Sequence, residues 1–492
     1  MKNFNSIRVF KRNQNEPNPD GEFVLYWMQI NRRFHYNFAL EYAVGWANKL
    51  DKPLLILEAF SCDYPWATDR THTFMMQGMK EHLETIDRRS LNYLPFVEKE
   101  PGRYEQLLMS LANRASLLVT DEYPVFIMKE RNSTLPDQIH IPYYSVDSNG
   151  LIPLALTEKD PYSAYLFRKT MQKHFVEAYT NPPKENPMDE LSNRSHIQIP
   201  DSIFEGLPDS ESALANIPEF ISELSIDHSV KPIQWHGGRF AALKQMDHFL
   251  ENDLMQYGEK RNDPDENKTS QMSAWLHFGK ISEYEIVKEI LAHQPQGWDL
   301  DSIRYNNGTR DGFFNGISSI DAFLDELITW REVGFHFAHH RVDYDQYESL
   351  PDWALETLNE HKNDPREWIY SYEELAGSQT HDEIWNAAQT QLREEGIIHN
   401  YLRMLWGKKV LEWTPNPETA LQYLIDLNNT FAIDGRDPNS YSGIFWCFGR
   451  FDRAWQERPV FGKIRYMTSD STRKKVKLNQ YLSRYGNQGS LL

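Results

Sequence analysis

The sequence predicts an α/β domain with an open parallel sheet of Rossmann-like type, then a long linker and an all-α domain. Short apolar runs alternate with helix-like segments in the first third of the chain, which is typical of a parallel α/β sheet. Later segments carry apolar residues three to four positions apart with few β-branched runs, which indicates helices. We place the α/β domain at residues 20–160, the linker at 161–230 and the all-α domain at 231–484.

The predicted sheet is built from apolar runs that have the composition of strands. They are FVLYWM, PLLILEAF, YLPFVE, SLLVTDEYP and IPYYSVD, with helix-like segments such as FALEYAVGWANKL between them. No glycine-rich phosphate-binding loop follows any of these runs, so the dinucleotide-binding version of the fold lacks its fingerprint. The pattern therefore predicts the sheet without identifying a ligand for it.

The middle of the chain changes in composition before the helical pattern begins. Residues 181–230 are rich in Pro, Asp, Glu, Ser and Asn, which indicates a surface connection between domains. Beyond it, SIDAFLDELITWREVGFHFAHH, EIWNAAQTQLREEG and HNYLRMLWGKKVLEW have the apolar periodicity of helices. We therefore expect the domain boundary inside this connection.

Composition excludes several classes of protein. The 492 residues are 40% hydrophobic and 25% charged, as in a soluble globular protein, and no apolar run is long enough for a secretory signal or a membrane span. Cys62 and Cys447 match no metal-ligand or redox spacing, which suits a reducing compartment. We expect a cytoplasmic protein with no membrane association and no metal site.

The C-terminal region gathers cations beside aromatic rings, although the formal net charge of the chain is −19. Residues 442–467 read SGIFWCFGRFDRAWQERPVFGKIRYM, and residues 458–484 add more Arg and Lys against few acids. Nucleic-acid bases stack on rings while phosphates pair with Arg and Lys. A solvated basic surface and a nucleic-acid interface are both open from this pattern.

The run DELITWRE, residues 325–332, places a carboxylate and an indole four positions apart on a predicted amphipathic helix. Glu326 and Trp330 would then stand side by side. Apolar surroundings raise the pKa of a carboxyl group, so the pair suits a catalytic acid beside a stacking platform. A surface glutamate above a core tryptophan is the structural alternative.

Three tryptophans fall at spacings that could form a row. Trp406 and Trp413 lie two turns apart in HNYLRMLWGKKVLEW, and Trp385 lies in EIWNAAQ. Closely spaced indoles can relay an electron between a buried redox cofactor and the surface. Core packing explains an aromatic stripe of this kind equally well. Asn400, Arg403 and Met404 share another face of the same predicted helix.

Two polar segments could hold an anion or a ligand ring. In NKTSQMSAWLHFGKIS, Thr269, Ser270 and Ser273 precede a helical run and offer hydroxyl groups and helix-start N–H groups to an anion. A plain helix N-cap is the alternative interpretation of this segment. In NNTFAIDGRDPNSYSG, Asp434 lies in a polar turn. A pair between Arg403 and Asp434 would orient that carboxylate toward a ligand.

Taken together, these segments resemble the photolyase and cryptochrome family, and specifically the class II cyclobutane pyrimidine dimer photolyases. The resemblance is carried by YGEKRNDP, TSQMSAWLHFGKIS, FLDELITWRE, EIWNAAQ, HNYLRMLWGKKVLEWTP, DGRDPNSYSG and RPVFGKIRYM, which cover most of residues 231–467 in order. It implies that the helical domain binds FAD. By resemblance, the residues that would hold FAD are Tyr257, Thr269, Ser270, Gln271, Met272, Ser273, Arg331, Asn400, Arg403, Asn428, Asp434 and Asn439.

The resemblance also assigns roles in a reaction. Glu326 would hydrogen-bond the damaged bases, Trp330 and Trp446 would form the walls of the lesion pocket, and Met404 would lie beneath the lesion. Asn428 or Asn439 would face the flavin nitrogen that gains a proton on reduction. The residues implied in electron transfer are Trp385, Trp406 and Trp413, and those implied in DNA contact are Arg453, Lys463 and Arg465.

The implied activity is that of a deoxyribodipyrimidine photo-lyase, a monomer that repairs pyrimidine dimers in UV-damaged DNA with light and reduced FAD. The family leaves room for a second, antenna chromophore of unknown identity. The main alternative is a cryptochrome-type blue-light receptor that binds FAD without repair. Repair of the (6-4) photoproduct is a third hypothesis; that chemistry is associated with paired active-site histidines, and only His399 stands near the relevant helix. A helical DNA-binding protein without a cofactor is a fourth hypothesis.

Overall fold

The computed structural model describes residues 4–86 and 91–486. The chain forms two compact units. The α/β unit comprises Met1–Leu156, His174–Met246 and Met272–Ala292, and the helical unit comprises Thr157–Lys173, Asp247–Gln271 and His293–Leu492. Both units are therefore built from stretches that are far apart in sequence, and the domain boundaries expected at residues 160 and 230 stay a prediction.

The sheet of the α/β unit has the strand order β1-β6-β5-β2-β3-β4. All neighbouring strands are parallel except β1 and β6, which pair antiparallel. The strands are β1 Val9–Lys11, β2 Phe23–Met28, β3 Leu54–Phe60, β4 Asn92–Val97, β5 Ala115–Asp121 and β6 Tyr143–Val146. The α/β prediction is confirmed, and the short edge strand β1 is the addition that the apolar pattern did not indicate.

Both faces of the sheet are buried, which explains why its strands are apolar without alternation. Every residue of β2 is buried. Phe23, Leu25 and Trp27 belong to the core on one face, and Val24 and Tyr26 belong to the core on the other. The covering helices include α1 Phe38–Leu50, α2 Asp69–Thr85, α3 Arg103–Ala112 and α4 Phe126–Thr134.

The carboxyl ends of β2 and β5 meet where the strand order reverses, which is the usual ligand crevice of such sheets. Here Asp121 binds the loop that follows β2. One carboxylate oxygen accepts the backbone N–H groups of Gln29, Ile30 and Asn31 at 2.8–3.0 Å, and the other accepts the hydroxyl of Tyr26 at 2.9 Å. The loop is therefore fixed across this end of the sheet.

A buried charge cluster also stabilises the α/β unit. Glu58 accepts hydrogen bonds from Arg32 at 3.1 Å, His82 at 2.7 Å and Tyr93 at 2.7 Å, and Lys280 lies 3.6 Å from it. Burial acts to raise the pKa of Glu58, but the surrounding cations hold that pKa well below its usual range. The carboxylate is therefore charged and paired inside the unit.

The segment expected to be a linker contains helices. These are α5 Ala164–Thr180, α6 Ser210–Ala215 and α7 Ile217–Ser222. Leu214 on α6 and Phe220 on α7 are buried, so residues 181–230 contribute apolar packing as well as surface. Pro and Asp residues favour the first positions of helices, and here they begin short helices instead of forming an extended connection. Asp209 caps α6, and Pro218 lies in the first turn of α7.

The all-α prediction is confirmed, since the described residues after Val146 form no strand of the sheet. None of the described helices combines the length and apolarity that a membrane span requires. The remaining helices are α8 Arg239–Asn252, α9 Leu254–Lys260, α10 Ser273–His277, α11 Glu283–Leu291, α12 Ser318–Leu324, α13 Arg331–His340, α14 Asp352–Glu360, α15 Tyr372–Ala376, α16 Glu383–Glu395, α17 Asn400–Trp413, α18 Pro417–Phe431, α19 Pro438–Cys447, α20 Ser469–Lys475 and α21 Asn479–Tyr485. Helix α17 packs against α16, α18 and α19, which brings nine of the candidate residues into one group of helices.

Candidate active site in the helical unit

Glu326 and Trp330 lie on a π-helical turn, Asp325–Trp330, between α12 and α13. The backbone N–H of Arg331 donates to the carbonyl of Glu326, five residues earlier, instead of four. The sequence pattern indicated an ordinary α-helix, because apolar periodicity does not distinguish one widened turn. Such turns occur frequently at functional sites.

The Glu326 carboxyl is held by an arginine that the sequence pattern did not single out. Its Oε1 lies 3.0 Å from Nη1 of Arg261, whose guanidinium also lies 5.4 Å from the ring centroid of Tyr257. Burial raises the pKa of Glu326, while Arg261 opposes that shift and the carboxylate of Asp325 reinforces it. Arg261 follows YGEK in one of the quoted runs, which was the available signal.

The residue before Glu326 is fixed from the other side of the turn. Asp325 forms a bidentate pair with Arg168, with distances of 2.7 and 3.0 Å, and both side chains are buried. Arg168 also donates to the carbonyl of Gly308 at 3.2 Å. Arg168 lies in the segment expected to be a linker, so nothing in the sequence pattern marked it as part of this site.

The structure brings the three candidate electron-transfer residues into one row. Trp385 stacks on Trp406 with ring centroids 6.5 Å apart and an interplanar angle of 8°, and it meets Trp413 at 5.8 Å. The indole N–H of Trp385 donates to the carbonyl of Trp406 at 3.0 Å, and that of Trp406 donates to Gln389 at 2.9 Å. The row therefore runs from Trp406 through Trp385 to Trp413, and its role in electron transfer stays a prediction.

The expected pair between α17 and the polar turn is present. Nη2 of Arg403 lies 3.2 Å from Oδ1 of Asp434. Asn428 is buried near that turn, where its amide donates to Ser440 at 2.8 Å and the Ser440 hydroxyl donates to the carbonyl of Asp434 at 3.2 Å. Asn439 is exposed at the start of α19, so the two candidate asparagines stand in different environments.

The candidate phosphate-binding residues fall in both units. Thr269, Ser270 and Gln271 end the middle stretch of the helical unit, where Gln271 has a positive φ of 54° and Thr269 donates to Asn267 at 3.1 Å. In the α/β unit, Met272 is buried and Ser273 is the exposed first residue of α10. Three further candidates lie in the helical unit: Tyr257 buried on α9, Asn400 exposed at the start of α17, and Arg331 4.4 Å from the Phe335 ring.

Trp446 is flanked by two cations. Nζ of Lys408 lies 4.7 Å and the guanidinium of Arg465 lies 5.4 Å from its ring. Lys408 is fully buried and donates to the carbonyl of Cys447 at 2.7 Å, and burial lowers its pKa to about 8. Met404 on α17 is half-buried. A half-buried indole held between cations suits contact with a ring that is joined to phosphates.

The expected DNA-contact residues surround an exposed indole. The guanidinium groups of Arg465 and Arg453 lie 4.4 and 5.2 Å from the ring of Trp455, and Lys463 is exposed nearby in sequence. Further along the basic segment, cations pair with acids of the same unit: Arg473 with Glu383, Lys477 with Glu266 and Arg484 with Glu395. The basic face is therefore narrower than the charge of residues 458–484 indicated.

Comparison with known proteins gives relatives that match over nearly the whole chain. The chain is 34% identical to a deoxyribodipyrimidine photo-lyase of Methanothermobacter thermautotrophicus over 97% of both chains. The chain belongs to the photolyase/cryptochrome family. It is also 30% identical to a deoxyribodipyrimidine photo-lyase of Potorous tridactylus, over 93% of this chain and 80% of that one. No protein-family model matches the sequence.

The fold agrees with that of the photolyase/cryptochrome family. A solved cryptochrome of Synechocystis matches with a TM-score of 0.66 at 17% identity, over 94% of this chain and 88% of that one. Similarity to these relatives over nearly the full chain makes it an enzyme of the deoxyribodipyrimidine photo-lyase type and a DNA-repair flavoprotein. It also implies FAD as the cofactor.

The helical unit contains polar groups that fit such a cofactor. His399, which precedes Asn400 and Arg403, is 5% exposed, and neither ring nitrogen has a hydrogen-bond partner in the part of the chain that the structure describes. Burial lowers the pKa of His399 to about 4, so the ring is neutral near pH 7. Nε2 of Gln389, beside Trp406, is unpartnered within the same described residues. Buried polar atoms of this kind favour a site that takes a polar ligand.

Proposed function

We propose that the enzyme repairs cyclobutane pyrimidine dimers in UV-damaged DNA with light. The observation that carries the proposal is the half-buried Glu326, which shares the π-helical turn with Trp330, has a raised pKa and has its Oε1 3.0 Å from Arg261. A carboxyl group of raised pKa can remain protonated and donate a hydrogen bond near pH 7. A pyrimidine carbonyl oxygen is an acceptor for that donor.

Lesion selectivity would come from the walls of the site. Trp330 and Trp446 are both half-buried and present indole faces, and Met404 adds an adaptable apolar surface. A dimer stacks and pairs poorly in the duplex, so moving it into an aromatic pocket costs less than moving healthy bases. Arg453, Lys463 and Arg465 would bind the phosphates on either side, and Arg465 also pairs with Asp452 at 2.8 Å.

FAD, when bound and reduced, would supply light absorption and one electron to the dimer. Asn400, Arg403 and Asp434 would face its ring system. Asn428 is the better candidate for the ring nitrogen because it is buried beside the pair of Arg403 and Asp434, whereas Asn439 is exposed. The residues that would hold the remainder of the cofactor are Tyr257, Thr269, Ser270, Gln271, Met272, Ser273 and Arg331. A second, antenna chromophore and a monomeric state remain part of the proposal.

The protein's own groups would act on the dimer electrostatically. Negative charge develops on the pyrimidine carbonyls when the dimer gains an electron, and a hydrogen bond from protonated Glu326 stabilises it there. Arg261 would keep the carboxyl oriented and add a nearby positive charge. The pair is partly buried, and the lower local dielectric constant strengthens both interactions.

The test is repair of an oligonucleotide that carries one thymine dimer. The photoreduced holoprotein should restore intact thymines in blue light and not in the dark. Glu326→Ala should lose most of this yield and Glu326→Gln should retain part of it, because an amide still donates. Glu348→Gln, an exposed carboxyl on another segment, is the matched control. Full repair by Glu326→Ala would refute the assigned role, and no repair by the wild-type protein would refute the proposed activity.

A cryptochrome-type light receptor is the second candidate function. The buried indole row favours it to the same degree, since a receptor also needs electrons to reach its flavin. The repair assay separates the two, because a receptor would photoreduce its flavin and leave the dimer intact. Repair of a (6-4) lesion by the same protein would instead point to the third hypothesis, with His399 as the residue to replace.

A further inference from the structure

The indole row ends inside the protein. Trp406, Trp385 and Trp413 have exposed fractions of 2%, 0% and 2%. A reductant in solution therefore cannot touch Trp413, the outer member of the row. If the row carries electrons inward, another group must connect Trp413 with solvent.

A second cluster of rings begins where the row ends. Tyr370 lies 5.6 Å and His381 lies 5.1 Å from Trp413 between ring centroids. The backbone N–H of Tyr370 also donates to the carbonyl of Trp413 at 3.0 Å, which fixes the two residues together. Trp368 stacks on His381 at 4.6 Å and on Tyr370 at 6.5 Å, with interplanar angles of 25° and 2°.

The second cluster reaches the surface. Tyr370 is 9% exposed and Trp368 is 44% exposed. Ring contacts of at most 6.5 Å therefore run from Trp406 to Trp368 without interruption. Packing alone explains buried rings, but a 44% exposed indole stacked on polar rings removes little apolar surface from water.

Tyr370 has a base positioned for its proton. Its hydroxyl donates to Nδ1 of His381 at 2.6 Å, and its oxygen accepts the backbone N–H of His381 at 3.0 Å. The phenol is thus held twice by the same residue. A phenol that loses an electron also loses its proton, so a base within hydrogen-bond distance makes the oxidation easier.

We propose that Tyr370, with His381 as its proton acceptor, is the terminal electron donor of the indole row, and that Trp368 is the ring through which solvent reductants reach it. The inference rests on the proposed function, which takes the indole row as an electron path. Tyr370 and Trp368 would form the solvent-side half of that path, and the reductant in solution would be a thiolate.

Each step balances. The oxidised indole of Trp413 takes one electron from Tyr370, and the phenolic proton moves to Nδ1 of His381. This leaves a neutral phenoxyl radical beside an imidazolium. A thiolate in solution then gives one electron through Trp368, and His381 returns the proton. Phenol and imidazole are restored, and the thiolate has become a thiyl radical.

The experiment is flash photolysis of the holoprotein with oxidised FAD, followed by transient absorption and electron paramagnetic resonance. In the wild-type protein an indole radical should decay as a phenoxyl radical appears, more slowly in D2O than in H2O. Tyr370→Phe should lose the phenoxyl signal and keep a longer-lived indole radical. His381→Gln should form less phenoxyl, because an amide cannot take the proton.

A second variant tests the surface end of the path. Trp368→Leu should form the phenoxyl radical normally but should lose most of its rapid re-reduction by an added thiol. Tyr347→Phe is the matched control, because Tyr347 is equally exposed at 9% and its hydroxyl lacks a partner within the described part of the chain. It should behave as the wild-type protein does.

The outcomes separate this inference from the proposed function. A phenoxyl signal that survives in Tyr370→Phe, or an indole radical whose lifetime is the same with and without Tyr370, would overturn the assignment and leave the row in place. Absence of any indole radical in the wild-type protein would overturn both the row and its extension. Repair by chemically reduced protein does not use the row, so its failure would count against the proposed function alone.

Discussion

Burial changes the protonation of individual side chains in both units. The pKa of Glu326 is raised, whereas the pKa values of Lys280 and Lys408 are lowered to about 8, because burial disfavours the charged form of each group. These shifts have opposite consequences for the net charge at a given pH. The shift favours the protonated form of Glu326, and both lysines are only partly charged at mildly alkaline pH.

Glu326 gives a pH dependence with a defined sign. As the pH rises through the raised pKa, the carboxyl loses its proton and its donor, so the repair yield per absorbed photon should fall. Glu326→Gln should give a lower but flatter profile, since an amide donates at every pH. Measuring the yield from acid to alkaline pH checks this. A wild-type profile that rises with pH would contradict the proposed protonation.

Lys408 gives a pH dependence of stability. Its pKa falls from 10.5 in the unfolded chain to about 8 in the folded protein, so the unfolded state binds more protons between these values and stability rises with pH there. Lys408→Met has no such group. The free energy of unfolding of Lys408→Met should therefore exceed that of the wild-type protein most at pH 7, and by less at pH 10. Denaturant unfolding at both values is the measurement, and a difference independent of pH would contradict it.

At the scale of secondary structure, the turn that carries Glu326 was the least predictable element. Apolar spacing predicted a helix through DELITWRE, and a helix is present. The spacing of apolar residues in the sequence does not show that this stretch forms a π-helical turn instead of an α-helical one. The indole row was predictable, because 3.6 residues per turn bring Trp406 and Trp413 to one side of α17. Tyr370 and His381 extend the indole row. Tyr370 lies in a loop and His381 lies just before the N-cap of α16, so helical periodicity could not predict their positions.

Contacts between distant segments explain the remaining gaps. The pair between Arg403 and Asp434 could be expected, since both residues lie in family motifs. Arg168 and Asp325 are 157 positions apart, and Arg168 stands in a segment whose composition indicates a linker. Long-range pairs of this kind depend on tertiary packing, so one sequence gives no local signal for them.

The pair between Arg168 and Asp325 holds the π-helical turn, and its removal should be costly. Arg168→Met should destabilise the helical unit by about 3–5 kcal/mol, because it leaves a buried carboxylate without its partner. Arg168→Met with Asp325→Leu should be less destabilised than Arg168→Met alone, since no buried charge remains. Thermal unfolding of the three proteins tests the ordering, and an equal loss in both variants would contradict it.

The whole molecule combines a strongly acidic total with a small basic region. The net charge of −19 repels polyanions, and several cations of the C-terminal segment are paired with acids. DNA binding should therefore depend on few phosphate contacts. Its affinity should fall less steeply with salt than that of a protein with a broad basic face.

This expectation can be measured residue by residue. Arg453→Gln and Lys463→Gln should each reduce the slope of log affinity against log salt concentration by about 1, as expected for one phosphate contact. Arg473→Gln and Arg484→Gln are matched controls, because these arginines pair with Glu383 and Glu395, and they should leave the slope unchanged. Equal effects at paired and unpaired positions would refute the narrow basic region.

The α/β unit takes its parts from three stretches, the last of which is Met272–Ala292. Lys280, in that last stretch, is the partner that lies 3.6 Å from the buried Glu58. During synthesis all six strands leave the ribosome long before Lys280 is made. At a synthesis rate of about 5–20 residues per second, the sheet strands are complete on the order of ten seconds before Lys280 is added. During that time Glu58 lacks one of its cationic partners. Fragments that end before residue 272 should therefore not reproduce the structure of the complete α/β unit. We expect chaperones to bind the nascent chain during that interval.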